Sequence, residues 1–205
     1  EGIDLQSSYS GTNTQNLDAP NPLYNGSNCN RPYFYFRELI KQETLPPNPN
    51  FPNPCGGNIT TAPRFIHSAP EVDWRHGAAG PARTKTFVGS VLTPVTIGAA
   101  GSPVDGLSFG GNASTGGVWY TGTAFPAQYQ NTYFHADYGA GWIRNFGFDA
   151  NDQPTRVDFD DPLYQPFHAG ANGVVHLAAH PSDGSLYYVS WTSEVRRVRW
   201  VGLGN

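Results

Sequence analysis

From Thr115 onward the chain is cut into short alternating runs by tight turns, and this rhythm constrains the fold more than any other feature. "TGGVWYTG" (115–122) reads as a strand, and "TAFPAQYQN" (123–131) is a turn in which Pro126 breaks regularity. "TYFHADY" (132–138) is a second strand, "GAG" a tight turn, and "WIRNFGFD" (142–149) a third strand closed by "DANDQP" (149–154). "TRVDFD" (155–160) supplies a fourth. The cycle then restarts with "GVVHLAAH" (173–180), "PSDG", "SLYYVSW" (185–191) and "EVRRVRW" (194–200). In the first of these, Val175, Leu177 and Ala179 alternate with more polar neighbours, as one half-buried strand face requires. Four-strand units repeated along a sequence mark the blades of a β-propeller. A blade needs a neighbour on each side, and one or two cannot close a ring. The expectation is therefore an all-β fold, a partial propeller, with the rest of the ring supplied by further sequence or by a second chain.

The first 110 residues differ. They hold most of the 18 prolines, including "LPPNPNFPNPCGG" (45–57), and their strand candidates are short, as in "RPYFYF" (31–36) and "PEVDWRH" (70–76). "FRELIKQE" (36–43) is a helical candidate too short to stand alone. The reading is a loop-rich segment over 1–110, with outer strands of a preceding blade and a long insert, followed by blades over 111–205. The abundance of Gly (24) and Pro would suit disorder, but an aromatic content of 14% does not, because disordered chains are poor in aromatics.

Charge excludes several functions. Only 14% of the 205 residues are charged and the net charge is −4, so there is no electrostatic footprint for nucleic acid or an anionic membrane. The basic residues cluster once, in "EVRRVRW", where Arg197 and Arg199 share one strand face and Arg196 points to the other. No apolar run approaches the ~18 residues of a membrane helix. Cys29 and Cys55 bracket a Pro/Asn-rich loop with little means of ordering itself, and we expect a disulfide between them. It would stabilise the fold by about 3.5 kcal/mol through loop entropy and imply an oxidising compartment, extracellular or periplasmic. Asn25, Asn58 and Asn112 open sequons, which chance explains in so Asn-rich a chain.

The stretches "GGVWYTGTAFPAQYQNTYFHADYGAGWIRNF" (116–146) and "GVVHLAAHPSDGSLYYVSWTSEVRRVRW" (173–200) resemble the C-terminal blades of the glucose/sorbosone dehydrogenase family. "WRHGAAGPARTKTF" (74–87) and "IGAAGSPVDGLSFGGN" (97–112) extend the resemblance toward a bacterial subset with long inserts. The resemblance implies a secreted six-bladed propeller that oxidises an aldose or related sugar with pyrroloquinoline quinone and Ca2+. It also implies a catalytic histidine in an early blade, upstream of this chain, and an Arg-x-Arg pair that holds the anionic quinone. At the matching positions stand Gly173 and Val175, which carry no such donors, with His176 where the motif has Asp. The alternatives are a non-catalytic extracellular propeller that binds glycan or protein, and a structural subunit that completes another chain's ring.

Individual candidates follow from the strand pattern. His135 and Asp137 share a face and are either a proton-shuttling pair or a structural one. His176 and His180, four apart on a strand, lie ~13 Å apart and cannot share a metal ion. Asp158, Asp160 and Asp161 in "DFDDP" are either Ca2+ ligands or a solvated turn. If the blades run outward, the loops 110–114, 138–142, 168–173 and 191–194 lie on one rim. Tyr138, Trp142, His168 and Trp191 are therefore candidate ligand contacts, because aromatic faces with polar edges suit sugar rings. The competing role for these aromatics is to plug blade interfaces.

Overall fold

The computed structural model describes residues 3, 13–78, 80–159, 167–191 and 193–202. The chain is all-β; among the described residues there are several sheets, mostly antiparallel and none closed, and the helical content is limited to single turns. No helix among the described residues is long and apolar enough to cross a membrane. Two compact units are present, residues 1–70 with 85–94, and residues 71–84 with 95–205.

In the first unit β1 (Gln15–Pro20) pairs antiparallel with β2 (Tyr33–Tyr35), and β3 (Ile40–Gln42) pairs parallel with β4 (Phe65–His67). Between β2 and β3 lies one helical turn, Phe36–Leu39, where the helical candidate stops after four residues. Glu38 caps the start of this turn by folding its carboxylate back to accept the Tyr35 backbone N–H at 2.8 Å. The Arg31 guanidinium pairs with the same carboxylate and lies 3.7 Å from the Tyr35 ring centroid. A small cluster of Ala19, Phe34, Leu39, Phe51, Ile59 and Ala62 forms the core. The expected disulfide joins Cys29 to Cys55 with their Cα atoms 5.4 Å apart. Beside it Asn21 and Asn53, both buried, exchange amide hydrogen bonds of 3.3 and 3.0 Å. Asn25 accepts the backbone N–H groups of Ser27, Asn28 and Cys29 and so shapes the turn into the first cysteine. Side-chain amides thus supply, in a loop without ladder pairing, the partners that buried polar groups require.

The second unit begins with β5 (Val72–Asp73), paired antiparallel with the start of β6 (Arg83–Val88) and clamped there by a bidentate Arg83–Asp73 ion pair. β7 (Val91–Thr96) follows β6 in the same sheet, and the division between the units cuts both strands. Then comes the meander legible in the sequence: β8 (Ser114–Tyr120), β9 (Thr132–Asp137), β10 (Trp142–Phe148) and β11 (Pro154–Val157), each antiparallel to the next. β12 (His168–Ala169) pairs with the start of β10. β13 (Val174–Ala179), β14 (Leu186–Ser190) and β15 (Glu194–Val198) form a separate three-stranded meander.

Alternation explains how these sheets stack. Phe134 and Ala136 of β9 and Ile143 of β10 project to one face, where they join Tyr120, Phe125 and Tyr129 and meet Val174, Leu177, Leu186 and Tyr188 of the terminal meander. Thr115 donates to the Val174 carbonyl at 2.6 Å and Tyr120 to the Gly184 carbonyl at 2.7 Å, so the two sheets are also hydrogen-bonded. On the opposite face Trp142, Phe146 and Tyr133 pack with Trp74, Phe109, Ile97 and Val104. The middle strands β9 and β10 are therefore covered on both sides. One expectation reverses here. A register shift between Val174 and His176 turns Val174 and Leu177 inward and leaves Val175 37% exposed, so the alternation anchored on Val175 is broken by a bulge.

Candidate functional site

The face of the β8–β11 sheet opposite the terminal meander carries a cleft of about 210 Å³, lined by Val72, Trp74, Ser114, Tyr133, His135 and Phe148 among others. Two local features build it. Gly116 sits at φ +56 in a bulge between Thr115 and Gly117, a backbone state that disfavours any side chain, and a Cβ there would press on the His176 backbone at 3.1 Å. Ser114 pairs with Asp137 in the ladder and so shares the His135 face, and Ser114 Oγ lies 2.8 Å from His135 Nε2. Gly117, opposite His135 in the ladder, leaves room for the Tyr133 ring, whose hydroxyl would collide with any Cβ at that position.

Aromatic packing fixes the walls. Trp74 meets His135 edge-on at 5.5 Å between centroids and Trp142 at 5.4 Å, while Phe148 lies 5.2 Å from Trp119. Trp74 is held in place by donating its indole N–H to Asp137 Oδ2 at 3.0 Å. The Asn112 backbone N–H reaches the same oxygen at 2.8 Å, and Ala140 N–H donates to Oδ1 at 2.7 Å. Gly111 permits this approach, because a Cβ there would overlap both Trp74 and Asp137. Asp137 is 0% exposed and acts as a structural acceptor.

Burial lowers the affinity of His135 for a proton, with the nearby Asp137 charge pulling the other way. His135 is thus held neutral near pH 7. Burial also pushes the Tyr133 phenol up, so it stays protonated.

The candidates taken from the sequence are dispersed. Trp142 is 5% exposed, donates its indole N–H to the Gly110 carbonyl at 2.9 Å and belongs to the core. Tyr138 and Trp191, 36% and 71% exposed, meet edge-on at 6.5 Å beside Gly173. His168 lies elsewhere, with Nε2 3.3 Å from the Tyr188 hydroxyl; burial first, and the Arg196 charge second, lower its pKa. His135 and Asp137 share a face as expected, yet each is bonded to other groups. His180 accepts the Ser182 and Asp183 backbone N–H groups on Nδ1, both at 3.3 Å, within its own turn.

Neither implied cofactor finds its expected ligands. Gly173 adopts φ +66, and a Cβ there would lie 3.2 Å from that of Trp191, so this turn disfavours an arginine as well as lacking one. With Val175 beside it, the residues present do not fit an anionic quinone. Asp158 is turned inward, where Oδ1 accepts the Asn145 N–H at 2.9 Å and Oδ2 pairs with Arg144. Burial raises the Asp158 carboxyl and lowers the Arg144 guanidinium, each against the attraction of the other. Asp160 and Asp161 lie outside the described residues. Among the described residues no group of three His, Cys, Asp or Glu side chains could hold a metal ion.

No family model matches the sequence, and no curated protein matches it.

Ser114, Tyr133, Trp74 and Phe148 were not singled out from the sequence. Tyr133 could have been, because strand alternation puts it on the His135 face. Trp74 and Ser114 could not. One arrives from 63 positions away from Asp137, and the other meets His135 through a cross-strand register that no local pattern reveals.

Proposed function

We propose that the chain is part of an extracellular or periplasmic β-propeller of the sugar-recognising kind, and that the cleft lined by Trp74, His135 and Phe148 holds a single sugar ring. The observation that carries this reading is the pairing of aromatic walls with the Ser114 and His135 polar groups in one small cleft. Its ~210 Å³ falls below the ~300–1,000 Å³ of sites for drug-sized ligands, which favours one ring over an oligomer. Indole and phenol faces suit the C–H surface of a sugar, and the hydroxyl and imidazole suit its edge. The stacking of the β8–β11 meander on the terminal meander supports the propeller, whose remaining blades would come from upstream sequence or a second chain. The resemblance also points to sugar oxidation with pyrroloquinoline quinone, but Gly173 and Val175 offer the quinone no donors, and the reading stops at recognition. A monosaccharide panel followed by tryptophan fluorescence tests it. Saturable quenching should occur for at least one sugar, fall at least ~10-fold in Trp74→Ala and Phe148→Ala, and survive in Trp74→Phe. Absence of saturable binding in a folded protein overturns the reading.

A further inference from the structure

We infer that Ser114 and His135 form a nucleophile–base pair that removes the acyl group from a small carboxylic ester borne on a single ring. This goes beyond recognition and rests on the geometry of the pair, not on the identity of the ring.

Three observations meet at this point. Ser114 is solvent-exposed at the start of β8, and its Oγ is 2.8 Å from His135 Nε2, within the ~2.6–3.2 Å that a serine and its base require. His135 is half-buried among aromatic rings, which favours the imidazole in its neutral, proton-accepting form. With Ser114 donating to Nε2, the ring proton sits on Nδ1, which faces the Tyr133 hydroxyl at 3.4 Å. Tyr133 therefore orients the base, in the place a carboxylate takes in many such sites. Asp137 does not take that place, because its two oxygens are bonded to Trp74, Asn112 and Ala140. The ring of the ester would rest against Trp74, Tyr133 and Phe148, with its acyl carbon toward Ser114.

The chemistry balances with water as the only co-reactant. Ser114 Oγ bonds to the acyl carbon while its proton passes to His135 Nε2, and the ester C–O bond breaks as that proton moves to the departing alkoxide. Water then attacks the acyl-serine, giving its proton to Nε2. Collapse releases the carboxylic acid and returns the proton to Ser114.

The test uses 4-nitrophenyl acetate as substrate and a fluorophosphonate as trap, with intact-mass and peptide readout. The expected result is one phosphonyl adduct on Ser114, absent in Ser114→Ala and slowed at least ~100-fold in His135→Gln. Ester turnover should rise with pH to a plateau, with its midpoint below the ordinary imidazole value of ~6.5. That pH profile keeps the proposal falsifiable should His135→Gln fail to fold. A folded protein left unlabelled at Ser114, or one hydrolysing the ester equally well as Ser114→Ala, overturns it. Labelling reads the nucleophile and fluorescence reads the sugar. Labelling without sugar binding therefore sinks only the recognition reading, and sugar binding without labelling sinks only this one.

Discussion

Around Cys29 and Cys55 the chain is ordered by a covalent bond, two reciprocal amides and six buried apolar residues, of which two are alanines. Around Phe134 it is ordered by stacked sheets whose inner cluster alone holds eleven buried residues, most of them large. Both regions belong to a chain with only 14% charged residues. What separates them is spacing. Where apolar residues alternate without interruption they form a ladder and then a core, and where Pro and Asn interrupt them the backbone needs other partners. The comparison teaches that the first region's order should be local and chemically removable, whereas the second's should be cooperative.

Four experiments sharpen or break that contrast, read by hydrogen exchange resolved along the chain. The largest effect belongs to Phe134→Ala, which empties the centre of the inner cluster and should cost ~3–5 kcal/mol across 114–157 and 173–200. Equal loss of protection at 19–62 would break the contrast. Next is the double change Cys29→Ser with Cys55→Ser, expected to cost about 3.5 kcal/mol for a loop of 26 residues, confined to the first unit. A matching loss in the β8–β11 sheet would show that the tether acts on the whole chain. Asn53→Ala should cost about 1–3 kcal/mol, because it leaves the buried Asn21 amide without its reciprocal partner. An unchanged protein would mean that water replaces the amide freely.

The smallest effect is a pH dependence. His135 and His168 both bind protons less readily in the folded chain than in the unfolded one, so the unfolded state takes up more protons as pH falls below ~6.5. Their contribution is therefore complete above that value and declines as pH drops toward the lower folded values. The loss should appear in the second unit as a shallow fall in stability, flattened in part by His135→Gln. A stability that rises with acidification over the same window would contradict the sign.

The strands after Ser114 were legible because each carries enough alternating or aromatic residues to outweigh its turns, and "TYFHADY" and "WIRNFGFD" became β9 and β10 nearly residue for residue. "FRELIKQE" was legible only in part. Its first half makes one helical turn and its second half joins a parallel ladder with β4, a partner 25 residues on that no local pattern reveals. The disulfide was legible as well, since the intervening loop had little else to hold it. The cleft was not. His135 and Asp137 stood out as titratable groups on one face, but the Ser114 partner of one is set by cross-strand register and the other is held by Trp74 and Asn112. Val175 shows the same limit from the other side, because one extra residue in a ladder changes which face a side chain takes.

The coverage of β9 and β10 on both faces has a consequence for descent. A strand with one wet face can accept polar replacements at every second position, and these record divergence while the fold persists. Phe134, Ala136 and Ile143 look into one packed layer, and Tyr133, Trp142 and Phe146 into another, so these strands offer few such positions. Inherited change should collect instead in turns such as 149–153, which is pinned mainly by Asp149. Kinship between chains of this kind would then be easiest to trace in the two strands that change least.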